Sequence, residues 1–229
     1  MNNNLKKENS LVNLIVNILI PVLILTKGAD KLNLSPGYGL VIALSFPLGY
    51  GIYDLITRKK TGLFSILGFI SVLFTGVIGL LEYPAEWIAY KEATIPFIIG
   101  MVAFISGFTP FPIAGKILYI KEIFDIEKIE SVLDPIHKDQ FDRIFNRASI
   151  FLGLSFFLSS ILNFFLAEIL IKSPPGTLKF NEELGKMTFL SLPVIVLPSM
   201  IVVLLVFWYI VSSIKKLSVL SMDEILSIK

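Results

Sequence analysis

Apolar and polar positions are grouped along the chain in long blocks. Short polar segments separate six apolar stretches, most of them near the ~20 residues that cross a hydrocarbon core of ~30 Å: Leu11–Thr26, Tyr38–Ile56, Leu63–Leu81, Ala93–Phe111, Ile150–Ile171 and Met187–Ile214. Lipid does not tolerate unpaired backbone groups, so each stretch is predicted to be a helix. The pattern predicts an all-α, polytopic membrane helix bundle with six transmembrane helices, built as one integral membrane domain over residues 1–229.

The positions of Lys and Arg orient these helices. With the N-terminus inside, 14 of the 20 basic residues fall in cytoplasmic segments and six in outer segments. Basic residues concentrate on the inner side of membrane proteins, so both termini are predicted to be cytoplasmic. A cleaved signal peptide is the alternative for the first stretch. Asn13, Asn17 and Pro21 interrupt that stretch, which favours an uncleaved first span.

The longest polar segment, residues 112–149, is predicted to be cytoplasmic and interfacial. Between Ile113 and Val132 apolar residues recur at helical spacing with charged residues between them, and Asp134-Pro135 is expected to end the helix. Two interpretations stay open. The segment is either an amphipathic helix lying on the inner membrane interface or a linker helix packed on the ends of the spans.

Spans three and five match each other at an offset of 84 residues. The matched small or polar positions are Ser71 with Ser155, Thr75 with Ser159, and Gly79 with Asn163. Small residues four positions apart let helix backbones approach closely, so packing is the simplest role of these stripes. Thr94-Ile95-Pro96 likewise matches Ser191-Leu192-Pro193 at an offset of 97. Spans 3–4 and 5–6 are therefore predicted to form a parallel two-helix repeat, an arrangement that occurs in transporters and in packing scaffolds.

Composition narrows the class of function. The chain is 55% hydrophobic and 17% charged, with a net charge of +2, which excludes an ordinary soluble enzyme and a nucleic-acid binder. It has no cysteine and one histidine, His137, which argues against disulfides, thiolate catalysis and the common zinc sites. No catalytic group, cofactor site or metal site is predicted, and the protein is expected not to be an enzyme.

Charged residues near the span ends are the first candidates for function, because ionisable groups are expensive in a membrane. Lys91 and Glu92 lie at the predicted outer start of span four, close to Trp87 and Tyr90. One interpretation is local: Glu92 complements the helix dipole, and Lys91 extends to the headgroups. The other is that Lys91 binds an anionic lipid headgroup beside Trp87.

Two further carboxylates have a basic residue four positions later. Asp54 precedes Arg58, and Glu168 precedes Lys172. Residues at this spacing are neighbours on a helix, so a local ion pair is the simplest role of both carboxylates. Asp54 is also a candidate functional or lipid-contact residue, because it is ionisable and lies near a span end.

Amides within the spans are the remaining polar candidates. Asn13, Asn17 and Asn163 would cost free energy facing lipid, so they are predicted to form hydrogen bonds between helices, or else to line a polar substrate path. Prolines and glycines in spans two and six predict kinks, a feature of transporters that ordinary membrane helices share.

The start of span five carries a family resemblance. Phe145-Asn146-Arg147, followed by Phe156-Phe157 and Asn163, resembles the intracellular septation protein A family of small bacterial inner-membrane proteins, or a sister family with the same hairpins. The hairpin of spans three and four is similar too, with Phe74-Thr75-Gly76 ahead of a loop that contains Trp87. The similarity covers about residues 63–214. Asn146 and Arg147 thereby join Asn163 as candidate interhelical polar residues.

Two hypotheses of function follow. The resemblance implies a non-catalytic inner-membrane protein that supports envelope integrity or septation through membrane lipids and other envelope or division proteins. The alternative is a small transporter or lipid translocase that uses the kinked spans and the amides Asn13, Asn17 and Asn163.

Overall fold

The computed structural model of the protein describes residues 10–58, 63–118, 123–218 and 220–225. Within them the chain is helical and has no β-strand, which confirms the all-α prediction. The helices are α1 (Leu11–Lys31), α2 (Pro36–Arg58), α3 (Leu63–Leu80), α4 (Glu86–Ser106), α5 (Ala114–Ile117), α6 (Ile126–Val132), α7 (Pro135–Leu170), α8 (Leu178–Ser218) and α9 (Met222–Ile225).

Four of these helices are long and apolar enough to cross a membrane: α1, α4, α7 and α8, judged over the described residues. The two other predicted spans are also helical, as α2 and α3, with 23 and 18 residues. All six apolar stretches are therefore helices. The count of six membrane spans and the two-helix repeat stay predictions.

The predicted boundaries shift in three places. Helix α4 begins at Glu86, seven residues before the predicted start of span four, because Ile88 and Ala89 are buried in a core and extend the helix. Helix α7 begins at Pro135, well before Ile150. Helix α8 begins at Leu178 and runs for 41 residues, so most of the predicted outer loop of residues 172–186 is helical.

Three π-helical turns interrupt the long helices. Two lie in α1, at Ile15–Leu19 and Ile24–Gly28, on either side of Pro21. The third, Leu192–Val196, lies in α8 and contains Pro193. Proline has no N–H to donate and crowds the preceding turn, so the helix departs from α-geometry beside it.

The described chain falls into two compact units. Unit 1 contains the residues up to Ile95 together with Ile161–Ile195, and unit 2 contains Pro96–Ser160 with the residues from Val196 onward. Helices α4, α7 and α8 each contribute one part to each unit. The prediction of one domain over residues 1–229 stays a prediction.

The core of unit 1 forms where the polar first part of α8 packs against α1 and α2. Phe180, Leu184 and Met187 of α8 are buried in this core together with Leu25 and Leu40. Two glycines permit the close approach. A methyl group at Gly185 would lie 2.8 Å from the Thr26 side chain, and one at Gly39 would lie 2.7 Å from the Ala29 Cβ.

The core of unit 2 contains the segment predicted to be interfacial. The sequence predicted one helix between Ile113 and Val132, and this is wrong: α5 ends at Ile117 and α6 begins at Ile126, while residues 119–122 lie outside the described part. Asp125 causes the new start, because its side chain accepts a hydrogen bond from the Lys128 N–H at 3.0 Å and caps α6.

The apolar side chains of this segment pack on protein. Phe124 and Ile129 are 1% and 0% exposed, and the Phe124 ring lies 5.8 Å from that of Phe207. This packing supports the linker interpretation for the described residues. Asp134 then begins α7 by accepting the His137 N–H at 2.8 Å, with Pro135 in the first turn.

Glycines also bring α4 and α7 together within unit 2. A methyl group at Gly153 would lie 2.7 Å from the backbone nitrogen of Phe104, and one at Gly107 would lie 2.7 Å from the carbonyl oxygen of Asn146. Gly100 faces the ring of Phe157 at 2.8 Å in the same way. Backbones this close leave no room for a side chain at the crossing.

Candidate functional site

The Lys91 side chain forms a polar cluster in unit 1 with four acceptors. Its ammonium donates to the Thr75 hydroxyl at 2.7 Å, the Ser71 hydroxyl at 3.1 Å and the Ser71 carbonyl at 3.2 Å. It also forms an ion pair with Glu92 at 2.7 Å. An ammonium has three donors, so these four acceptors satisfy it completely.

The positions of these residues along α3 and α4 bring the polar groups together. Ser71 and Thr75 lie four residues apart on one face of α3, and α4 returns alongside it after a short turn. Lys91 lies five residues into α4, about 7.5 Å along its axis from Glu86. Its ammonium contacts the middle of α3, where Ser71 is nine residues before Leu80. The side chain therefore crosses to the neighbouring helix and does not extend toward the start of α4.

Burial strengthens this cluster. The side chains of Lys91 and Glu92 are 10% and 24% exposed, and charges removed from water require both partners and hydrogen bonds. The sequence placed both residues at a helix start, which is wrong because α4 begins at Glu86. Their predicted role as functional or lipid-contact residues stays a prediction. The sequence also identified the Ser71–Thr75 stripe, but as a packing feature, and its oxygen atoms are the acceptors for Lys91.

A groove lies between α3 and α4, and Ser71 and Lys91 of the cluster form part of its wall; we call it the α3–α4 groove. Its volume is about 520 Å³, within the ~300–1,000 Å³ typical of small-molecule sites. Apolar side chains form most of its wall: Ile70, Phe74, Val77, Ile78 and Ile95. Phe74 and Val77 are exposed, so the groove opens on the outside of the two helices.

Three aromatic side chains line the groove toward the α3–α4 connection: Tyr83, Trp87 and Tyr90. All three are exposed, Trp87 by 59%. The Tyr90 ring also packs 5.7 Å from the ring of Phe164 on α7. Rings of this kind are typical of the membrane–water boundary, where one end is apolar and the other is hydrated. Trp87 was a predicted lipid-contact residue, and the structure places it in the wall of the groove.

Two polar anchors of unit 1 were missed by the sequence analysis. Glu183 accepts hydrogen bonds from the backbone N–H groups of Lys172 and Ser173 at 2.9 and 2.8 Å, and from the Ser173 hydroxyl at 2.8 Å. Asn181 is 1% exposed and donates to the Pro36 carbonyl at 2.8 Å. Thr177, which caps α8 by accepting the Phe180 N–H at 3.1 Å, was the local signal for this helix.

Two of the amides predicted to join helices contact each other, and the interhelical role of all three stays a prediction. The Asn17 side chain donates to the Asn13 side-chain oxygen at 2.9 Å, a contact between successive turns of α1 and not between helices. Asn163 is half-buried in α7. None of the three lines the α3–α4 groove.

The two predicted local ion pairs have different outcomes. Glu168 and Lys172 form theirs at 3.6 Å, with both side chains well exposed, so it contributes little to stability. Asp54 is half-buried in α2. Its predicted partner is Arg58, whose side chain lies outside the described part, so this ion pair stays a prediction.

In unit 2 the residues of the family resemblance lie on α7. Asn146 is half-buried, and its side-chain oxygen accepts no hydrogen bond from the described residues. Arg147 is exposed. The fully buried Ser149 accepts the Ala114 N–H at 3.0 Å and so fixes the start of α5. Ser149 thus forms a polar contact between α7 and α5, and the interhelical role of Asn146 and Arg147 stays a prediction.

The described residues contain no group of three or more acidic or histidine side chains able to hold a metal ion. Comparison with protein-family models, curated proteins and solved structures finds no match to the chain. The resemblance to the intracellular septation protein A family stays a prediction from the sequence.

Proposed function

We propose that this is an integral protein of the bacterial inner membrane that acts without catalysis, through contacts with lipids and other membrane proteins, to support envelope integrity or septation. The α3–α4 groove carries the proposal. It is an apolar groove on the outside of apolar helices, with exposed aromatic side chains at one end. Such a surface is suited to a lipid chain or to an apolar helix of a partner.

The proposal includes six spans with both termini cytoplasmic. Helices α2 and α3 have 23 and 18 residues, about 35 and 27 Å at 1.5 Å per residue, close to the thickness of the hydrocarbon core. Reporter fusions after Lys60, Pro84, Asp139 and Gly176 test this topology. The first and third should report the cytoplasm and the other two the outside. An outside signal at Lys60 or Asp139 contradicts it.

A deletion strain tests the role in the envelope. We expect loss of the gene to increase detergent sensitivity or cell length, and the wild-type chain to restore both. Val77→Trp places a bulky ring in the α3–α4 groove and should not restore them. Val102→Trp is the matched control, because Val102 is an exposed α4 residue outside the groove lining. Restoration by both variants, or a deletion without effect, contradicts the proposal.

A small transporter or lipid translocase is the second candidate. The observation in its favour is the Lys91–Glu92 pair inside α4, because ionisable residues within membrane helices often mark transport pathways. Proteoliposomes with a fluorescent lipid in both leaflets provide the test. A translocase exposes the inner-leaflet probe to an external quencher, and Lys91→Met should slow that exposure. Protection of the inner probe at every protein concentration contradicts lipid translocation.

A further inference from the structure

The α3–α4 groove has a charge distribution that selects among lipid headgroups. Its apolar wall, formed in part by Ile70, Phe74 and Val77, fits a hydrocarbon chain. In a membrane, lipid chains are the medium around these exposed side chains, so an acyl chain is the natural occupant. This argument rests on the membrane location in the proposed function.

The Lys91 ammonium lines the groove, but its charge is already balanced by Glu92. The Lys91 ammonium meets four acceptors within 3.2 Å, one of them the Glu92 carboxylate. The pair has no net charge. An anionic headgroup would have to displace Glu92 or the two hydroxyls of α3, so Lys91 is poorly placed to bind one.

The aromatic end of the groove favours a cation. Tyr83, Trp87 and Tyr90 line the groove there, and aromatic rings attract cations, ammonium groups among them. Glu86 is exposed and lies one turn before Tyr90 on the same face of α4. Three rings beside a carboxylate are complementary to the ammonium group of a lipid headgroup.

We propose that the α3–α4 groove binds phosphatidylethanolamine, with an acyl chain along the apolar wall and the ammonium group at Tyr83, Trp87, Tyr90 and Glu86. The Lys91 cluster ties α3 to α4 and so fixes the width of the groove. The groove thereby distinguishes a zwitterionic lipid with an ammonium from an anionic lipid without one.

Tryptophan fluorescence tests this directly, because the chain has two tryptophans. Trp208→Phe leaves Trp87 as the single tryptophan, which is excited selectively at wavelengths that tyrosine does not absorb. The protein is placed in vesicles that contain phosphatidylethanolamine and phosphatidylglycerol in equal amounts. In one sample the phosphatidylethanolamine has brominated chains, and in the other the phosphatidylglycerol has them. Only the position of the quencher changes. We expect brominated phosphatidylethanolamine to quench Trp87 at least twofold more than brominated phosphatidylglycerol.

Trp208 is the matched control. It lies on α8 in unit 2 and is 68% exposed, so in Trp87→Phe both lipids should quench it equally. Equal quenching of Trp87 by the two lipids overturns the inference. Stronger quenching by phosphatidylglycerol, the result that an anion site at Lys91 would give, also overturns it. If neither lipid quenches Trp208, the membrane location itself is wrong, which separates failure of the proposed function from failure of this inference.

Two further measurements complete the test. Glu86→Gln in the Trp208→Phe background should bring the quenching ratio close to one, whereas Glu182→Gln, on α8, should leave it unchanged. An unchanged ratio in Glu86→Gln contradicts the role of the carboxylate. Native mass spectrometry of the unsubstituted chain, released from micelles of both lipids, does not depend on any variant. It should retain phosphatidylethanolamine preferentially, and preferential retention of phosphatidylglycerol overturns the inference.

Discussion

The crossing of α4 and α7 in unit 2 should be the part of the protein most sensitive to an added methyl group. In Gly153→Ala the new Cβ would lie 2.7 Å from the backbone nitrogen and 2.8 Å from the Cα of Phe104. Ordinary carbon contacts are at about 3.5–4.0 Å. The contact atoms belong to a helix backbone, so one helix must move away from the other.

The magnitude follows from two opposing effects. Overpacking of this kind costs about 1–3 kcal/mol. Alanine recovers about 0.5–1 kcal/mol of that, because glycine is a poor residue in a helix interior. We therefore expect Gly153→Ala to lower the free energy of unfolding by about 0.5–2 kcal/mol. Gly68→Ala is the control: its Cβ would meet no atom within 4 Å, so it should be neutral or stabilising.

Unfolding by sodium dodecyl sulfate in mixed micelles, followed by circular dichroism, measures the difference. Gly153→Leu should lower stability further, since a larger side chain separates the helices more. The reasoning is refuted if Gly153→Ala is as stable as the wild type, or if Gly68→Ala destabilises the protein by as much.

Three other predictions concern polar contacts and one turn. Glu183→Ala should lower the free energy of unfolding by about 1–3 kcal/mol, because two backbone N–H groups lose their acceptor. Glu182→Ala breaks an exposed ion pair and should change that free energy by less than about 0.5 kcal/mol. The same unfolding assay measures both variants, and equal effects refute the distinction. Gly176→Ala should lower the free energy of unfolding by about 1–2 kcal/mol, because φ is +82° there and a side chain is strained in that conformation. An unchanged unfolding midpoint contradicts this prediction. Hydrogen bonds from Ser221 hold the pKa of the Glu224 carboxyl below its ordinary value. Their contribution is complete above the ordinary pKa and is lost as pH falls through the lowered one. The protection of the Ser221 amide, relative to its intrinsic exchange rate, should therefore fall there, and pH-independent protection contradicts this.

The sequence predicts the helical stretches well because their apolar content is a property of each segment alone. It fails where a partner comes from another segment. The acceptors of Lys91 belong to α3, and only the approach of the two helices shows that Ser71 and Thr75 receive its hydrogen bonds. The same holds for Asn181, whose acceptor is the Pro36 carbonyl.

Local competition explains the other differences. The periodicity from Ile113 to Val132 fits one helix, but Asp125 offers a cap that begins a new one. Residues 172–186 have a polar average, which conceals a helix with one buried face. The spacing of Phe180, Leu184 and Met187 after the Thr177 cap carried that information. Average polarity is thus a poor guide where a single face is buried.

The π-helical turns of α1 make this helix tolerant of a shortened chain. A π-turn bonds residues five apart and so contains one residue more than an α-turn. Removing one residue within Ile15–Leu19 lets that turn close as an ordinary α-turn. The side chains before and after the turn then stay on the same faces of the helix. The same removal in α3, described without such a turn, would rotate every later side chain by about 100°. Natural length variation in this helix should therefore concentrate at its two π-turns.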